Sequence, residues 1–263
     1  MIVDGKKIAA ELSVQLKNEF AQRETQPRLG ALLMEPDFAT EKFISIKHKT
    51  AQELGVILVE KCLVGTASTD DVLHALAELA SSVQGIIVQL PLAPHIDTET
   101  IIAAIPQGKD VDGMSLAPLV YSPVVAAMHE ILVRGGISPQ GKNAAIVGQG
   151  RLVGMPAKRW LEDGGASVVV VTEDSSNLES ALSQADIVVL GAGHPGLVTP
   201  SMLKKGVVLL DAGTSEASGK LAGDADPSCA DVSSIFTPVP GGIGPIAVVM
   251  IFKNLLFLMG GER

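Results

Sequence analysis

Aromatic residues make up only 3% of this 263-residue chain, charged residues only 19%, and cysteine occurs twice. With so few rings, the core must be built from aliphatic side chains. Cys62 and Cys229 lie far apart with no CxxC, which leaves neither a disulfide framework nor a zinc-ligand spacing. Basic residues are also short: 20 Lys and Arg stand against 29 Asp and Glu, a formal net charge of -9. That balance argues against nucleic acid and anionic membrane surfaces as partners, which call for a basic face. A small anionic ligand needs only a few local donors. Long apolar runs are missing as well. The first residues carry Asp4, Lys6 and Lys7 where a signal peptide would need an apolar core. The most lipid-like stretch, 245–260, is interrupted by Lys253 and Asn254 and falls short of the roughly 20 residues that span a bilayer. It reads as a buried helix, and the chain as soluble and cytoplasmic. What is plentiful is aliphatic and turn-forming: hydrophobic residues are 47%, with 27 Gly and 15 Pro. That composition excludes disorder and, at this length, suits one large domain or two small ones.

Strand and helix signals alternate along the chain. Apolar runs at 29–34, 56–59 and 85–90 read as strands, separated by helical spacing over 40–54 and 69–80. Short continuous apolar runs divided by helices indicate a parallel sheet covered on both faces. Asp97 is placed to cap a helix ending before Pro106, and another helix is expected over 123–133. The turn-rich stretch Arg134-Gly-Gly-Ile-Ser-Pro-Gln-Gly-Lys142 marks a boundary. Beyond it come strands at 144–147, 167–171, 186–190 and 206–211, with helices at 152–163 and 178–184. The expected architecture is two α/β lobes. Residues 1–136 form an N-terminal catalytic lobe, completed by a returning helix at about 245–263, and residues 137–244 form a Rossmann-like, doubly wound dinucleotide-binding lobe.

Gly148-Gln-Gly-Arg-Leu-Val-Gly154 follows a strand and opens a helix, the context a dinucleotide fingerprint requires. Gly148 and Gly150 allow a tight turn and close approach of a pyrophosphate, which the helix N-terminus would then meet with free N–H groups. The third glycine comes one place late, at Gly154 with Val153 before it, so an ordinary strand–helix turn stays open as a reading. Glu173 stands near the end of the next strand, where a carboxylate accepts from ribose hydroxyls and repels a 2′-phosphate. On that reading NAD is favoured over NADP. Glu173 and Asp174 also suit a plain solvated loop, and Arg151 offers a guanidinium that a phosphate could meet.

In the helix over 40–54, Phe43, Lys47, Ala51 and Leu54 share one face, so Lys47 sits inside an apolar stripe. Desolvation there disfavours the ammonium and makes the amine a candidate acid/base near neutral pH. A lysine running along the stripe to water fits the same spacing. Val88-Gln-Leu-Pro-Leu92 places Gln89 at the carboxyl end of a parallel strand, where α/β folds bind ligands. Lys109-Asp-Val-Asp-Gly113 is a loop carrying Asp110 and Asp112, either a plain turn or a source of carboxylates facing Lys47.

Taken in order with Val3-Asp-Gly-Lys-Lys-Ile8 and Thr237-Pro-Val-Pro-Gly-Gly-Ile-Gly-Pro245, these segments resemble the bifunctional methylenetetrahydrofolate dehydrogenase/methenyltetrahydrofolate cyclohydrolase family. The likeness covers essentially the whole chain. It implies a homodimeric enzyme with its active site in a cleft between two lobes. Such an enzyme oxidises 5,10-methylenetetrahydrofolate with NAD(P) and hydrolyses the methenyl product to 10-formyltetrahydrofolate. It implies Lys47 as catalytic acid/base, Gln89 as its tuner, Asp112 on the pterin, and Phe43, Pro240 and Gly241 against the substrate. Gly148, Gln149, Gly150, Glu173 and Thr214 are the residues assigned to the cofactor, and no metal is expected.

Several positions depart from the family pattern. Phe43 replaces the usual Tyr, so a hydroxyl near Lys47 is lost, which bears on ring opening more than on hydride transfer. Gln149 and Gly150 replace Arg and Ser, groups that would hold a 2′-phosphate; with Glu173 they favour NAD, although the family mostly uses NADP. Ala247 stands where Thr is frequent. The alternatives are a dehydrogenase with weak or lost cyclohydrolase activity and a non-catalytic folate- or nucleotide-binding protein. A dehydrogenase of another small substrate would account for the cofactor lobe alone. Joint retention of Lys47, Gln89 and Asp112 speaks against a non-catalytic role.

Overall fold

A computed structural model describes residues 1–36, 38–172, 174–217 and 220–261. In chain order the elements are α1 (Gly5–Ala21), β1 (Arg28–Met34), α2 (Phe38–Leu54), β2 (Ile57–Leu63), α3 (Thr69–Ser82), β3 (Gly85–Val88), α4 (Thr98–Ala103), α5 (Pro123–Arg134), β4 (Asn143–Val147), α6 (Gly154–Asp163), β5 (Ser167–Val171), α7 (Leu178–Gln184), β6 (Ile187–Leu190), β7 (Val207–Asp211), β8 (Ser215–Ala217), β9 (Lys220–Ala222), β10 (Ser233–Phe236) and α8 (Ile243–Leu258). Two compact units result, one made of residues 10–123 and 248–263, the other of 1–9 and 124–247. Residues 1–9 and all of α5 but Pro123 thus group with the second unit, whereas the sequence assigned them to the first lobe. The reason is local: Val3 N–H donates to the Phe236 carbonyl and Phe236 N–H to that of Met1, each at 2.9 Å, which seats the N-terminal segment beside β10.

In the first unit a three-stranded parallel sheet runs β2-β1-β3. Central β1 is almost wholly buried, while edge strand β2 alternates between exposed and half-buried positions. The aliphatic composition shows in the packing. Val72, Ala75, Leu76 and Leu79 of α3 recur at helical spacing and meet Leu32, Ile86 and Val88 of the sheet. Helix α3 starts where Ser68 and Asp71 exchange hydrogen bonds in a capping box. The 57–63 strand extends further than its apolar run predicts, because its Glu60-Lys61 segment still pairs with Ala31 and Leu32.

The second unit holds a five-stranded parallel sheet, order β10-β7-β6-β4-β5. Counted from β4, this is the 2-1-3-4-5 doubly wound order, whose switch point lies between β4 and β6. In the first unit the 2-1-3 order puts the equivalent point between β1 and β3. Open α/β sheets bind ligands outside the carboxyl ends of their strands at such points.

Helix α8 is buried nearly throughout, with Phe252 and Leu255 fully covered. Among the described residues no helix is long and apolar enough to cross a membrane. Truncating a fully buried aromatic side chain costs about 3–5 kcal/mol. Phe252→Ala is therefore expected to lose about that much in urea unfolding, and a loss below about 1 kcal/mol would contradict the placement of α8.

Candidate active site

Lys47 lies on α2, in the helix that follows β1, and Gln89 is the first residue past β3, its N–H held by the Leu32 carbonyl at 3.0 Å. The two side chains meet at the switch point of the first sheet: Lys47 Nζ donates to Gln89 Oε1 at 2.8 Å. The Gln89 amide is itself fixed, Nε2 donating to the Leu90 carbonyl at 3.0 Å. Asp112 completes the group within electrostatic reach of the amine. Burial lowers the pKa of Lys47, and the Asp112 charge only partly opposes it. Burial pushes Asp112 up to about 6 against the pull of Lys47, and the nearby Asp110 carboxylate pushes the same way. Both partners are thus driven towards their neutral forms. The amine gives up its proton more readily than a lysine surrounded by bulk water, and the carboxyl beside it titrates at about 6.

The apolar stripe differs from expectation in one place. Ala51 and Leu54 are buried, but Phe43 is 55% exposed and Ile44, at 6%, takes its place in the core. Lys47 therefore lies at the margin of the buried face, its amine covered and its approach open. Phe43 stands one turn away with an uncovered ring.

The Asp112 loop is closely constrained. Asp110 is buried, and its Oδ2 accepts from the Ser115 N–H at 2.7 Å. Gly113 has φ +63, and a Cβ there would lie 2.7 Å from the Val120 carbonyl oxygen, so the limbs of the loop nearly touch.

In the second unit, the turn after β4 brings Gly148, Gln149 and Gly150 to the switch point. Gly148 has φ +99, and a Cβ on it would meet the Gly191 carbonyl oxygen, just past β6, at 2.6 Å. Helix α6 opens at Gly154 rather than at 152. The late third glycine still does the fingerprint's packing work, since a Cβ on it would lie 2.1 Å from the Gly148 oxygen. Gln149 is exposed, and a Cβ on Gly150 would meet nothing within 4 Å. A close-approach turn with open space above it fits a dinucleotide pyrophosphate. Thr214 is exposed in the loop after β7, and Glu173 lies outside the described residues. Pro240 and Gly241 belong to this unit too, in the turn before α8, where Gly5 N–H donates to the Gly241 carbonyl at 2.8 Å.

Two buried carboxylates here were missed by sequence reasoning. Asp224 accepts from the N–H groups of Ala192, Gly193 and His194 at 2.7, 3.1 and 2.7 Å, fixing the loop past β6 that abuts the Gly148 turn. Asp211 accepts from Gly213 and Ala225 at 2.9 Å each; burial, with Asp224 nearby, pushes it up to about 6. The available signal was an acid closing the all-apolar run Val207-Val-Leu-Leu-Asp211.

Comparison with known proteins decides what this arrangement belongs to. Residues 3–112 match the catalytic domain, and residues 122–261 the NAD(P)-binding domain, of tetrahydrofolate dehydrogenase/cyclohydrolase. The chain belongs to the tetrahydrofolate dehydrogenase/cyclohydrolase family. It is 36% identical over 272 residues to the bifunctional protein FolD of Halothermothrix orenii, covering 96% of this chain and 95% of that one. FolD proteins of Staphylococcus aureus are 34% identical over 271 residues, covering 97% and 95%. Among solved structures, the bifunctional dehydrogenase/cyclohydrolase of Campylobacter jejuni superposes with a TM-score of 0.93 at 29% identity, covering 99% and 98%. The Trypanosoma brucei enzyme, solved with NADP and an inhibitor, gives 0.91 at 27%, covering 99% and 97%.

The Asp112 shift carries a stability consequence for this family member. Its folded pKa lies above the ordinary 3.8, so stability is highest when it is protonated and falls as pH rises towards about 6. Asp112→Asn is expected to raise unfolding stability at pH 8, by on the order of 1–3 kcal/mol, with the gain shrinking towards pH 4. Urea unfolding at both pH values measures it; a gain equal at both would contradict the burial.

Proposed function

We propose that both reactions of the family run in this chain through Lys47, Gln89 and Asp112. The observation that carries the reading is the 2.8 Å bond from a desolvated Lys47 amine to Gln89, beside a carboxylate near its own midpoint. The chain oxidises 5,10-methylenetetrahydrofolate to the methenyl form with a nicotinamide dinucleotide and hydrolyses that product to 10-formyltetrahydrofolate, a step pair of one-carbon metabolism. When bound, the nicotinamide ring supplies the hydride acceptor. Gly148, Gln149, Gly150 and Thr214 are the residues that would hold the dinucleotide, the glycines by letting it approach the backbone.

An uncharged Lys47 does not repel the cation that the folate bridge becomes on losing hydride. In hydrolysis, water adds to the methenyl carbon, and Lys47 takes a proton from the added oxygen. As the carbon–N5 bond breaks and the formyl carbonyl forms, a proton is returned to N5, and one proton is released overall. Gln89 holds the amine in line, and Asp112 grips the pterin. Phe43 stands against the folate. Phe43 brings no hydroxyl to Lys47, so orientation of the amine falls to Gln89, and the substitution weighs on ring opening more than on hydride transfer.

For the cofactor we infer a preference for NAD. Gln149 and Gly150 offer no cationic or hydroxyl group to a 2′-phosphate, and Glu173 would repel it. We also infer a cytoplasmic homodimer, supported by family likeness and by the half-exposed edge strand β2.

Lys47→Met is expected to abolish ring opening while leaving the fold intact, followed by the loss of methenyl absorbance; surviving hydrolysis would refute the assignment of Lys47. For the cofactor, initial rates with NAD should exceed those with NADP, and Glu173→Ser should narrow the ratio by about tenfold, the energy of one hydrogen bond to a charged group. A wild-type enzyme much faster with NADP would overturn the preference.

A further inference from the structure

Helix α8 is apolar and buried, yet it carries an amide in its packed face. Asn254 is 8% exposed, between the covered side chains of Phe252 and Leu255. A buried amide without partners costs about 1–3 kcal/mol, so its retention needs a use. The structure shows one. Asn254 Nδ2 donates to the Val111 carbonyl at 2.8 Å and to the Tyr121 carbonyl at 2.9 Å. These are the two ends of the loop that bears Asp112. The Val111 carbonyl belongs to the peptide bond that leads into Asp112 itself, so fixing it fixes the backbone from which the carboxylate projects.

The rest of the loop agrees with a fastened neck. Gly113 faces the Val120 carbonyl with no room for a Cβ, and Asp110 holds Ser115 from within. Among the exposed large apolar residues of the chain, Leu116, at the loop tip, is 92% exposed, so the far end has little packing to hold it. The constraint on Asp112 must come from the neck. One nitrogen, arriving from a helix far along the chain, ties both limbs at once.

We propose that Asn254 is a positioning residue for the folate reactions, holding Asp112 opposite Lys47 by closing the neck of the 111–121 loop. The proposal rests on the assignment of Asp112 to the folate. Its purpose explains the conflict between an apolar helix and a polar residue within it: any aliphatic side chain would pack there, but none would donate to two carbonyls.

The test is a double-mutant cycle on the full-length enzyme with 5,10-methylenetetrahydrofolate as varied substrate. Asn254→Leu keeps the volume and removes both donors. It is expected to lower kcat/KM for the folate about tenfold, since small misplacements of a binding group cost that much or more, mainly through KM, with the KM for the dinucleotide within about twofold of wild type. In an Asp112→Ala background the same substitution should cost less than about twofold. A purely structural Asn254 would lower activity by the same factor in both backgrounds, or raise both KM values together, and either result overturns the proposal, as does wild-type behaviour of Asn254→Leu. If Asn254→Leu does not fold, Asn254→Ser, which keeps one donor, is carried through the same cycle with the same criteria. Should Asp112→Ala alone leave folate kinetics unchanged, the assignment of Asp112 fails and the proposal with it. An impaired Asp112→Ala with an additive Asn254→Leu defeats the proposal alone.

Discussion

Removal of water from one lysine is the constraint around which the first unit's polar cluster is arranged. An ammonium in solvent holds its proton far above neutral pH, and an amine only becomes exchangeable there when its hydration is taken away. Here α2 carries Lys47 at the border of its buried face, Gln89 takes one of its hydrogens at 2.8 Å, and Asp112 offsets part of the desolvation without cancelling it. The carboxylate pays a matching cost, since it too is drawn out of water. Each group is less stable charged than it would be alone in solvent. Burial thus works against the charged form of both groups, lowering the lysine and raising the carboxyl.

Both units solve the placing problem the same way. A parallel sheet with order 2-1-3 leaves a crevice where the chain crosses from one side to the other, and functional residues gather at strand ends around it. In one unit the crevice receives Gln89 and the helix bearing Lys47. In the other it receives the Gly148 turn and the loop past β6, where three backbone N–H groups converge on Asp224. Polar groups at these points are fixed by buried carboxylates and amides, so the flexible-looking loops are held by their own backbones.

Much of this was legible in the residues. The strands over 29–34 and 186–190 stand out because buried parallel strands are continuous apolar runs, and Asp97 announces its helix by accepting from Thr100 as a cap should. That Lys47 and Gln89 come together was foreshadowed by one helix face and one strand end. What periodicity could not show was three-dimensional. Phe43 and Ile44 are adjacent in sequence, and only packing decides which of the two enters the core. Strand order, the two buried aspartates and the partner of Asn254 depend on contacts between distant segments, which no local pattern encodes. Helix α1 escaped notice for a different reason: its lysines and glutamates blur the apolar spacing of Leu12, Leu16 and Phe20.

The stitch from α8 to the 111–121 loop joins residues 143 positions apart, with most of the dinucleotide-type unit encoded between them. Translation proceeds from the amino end, and domains tend to fold as they emerge. The 111–121 loop is therefore made early and left unfastened while the intervening hundred or so residues leave the ribosome. A growing chain therefore carries Lys47, Gln89 and Asp112 well before it carries α8, whose Asn254 ties the two limbs of the loop together.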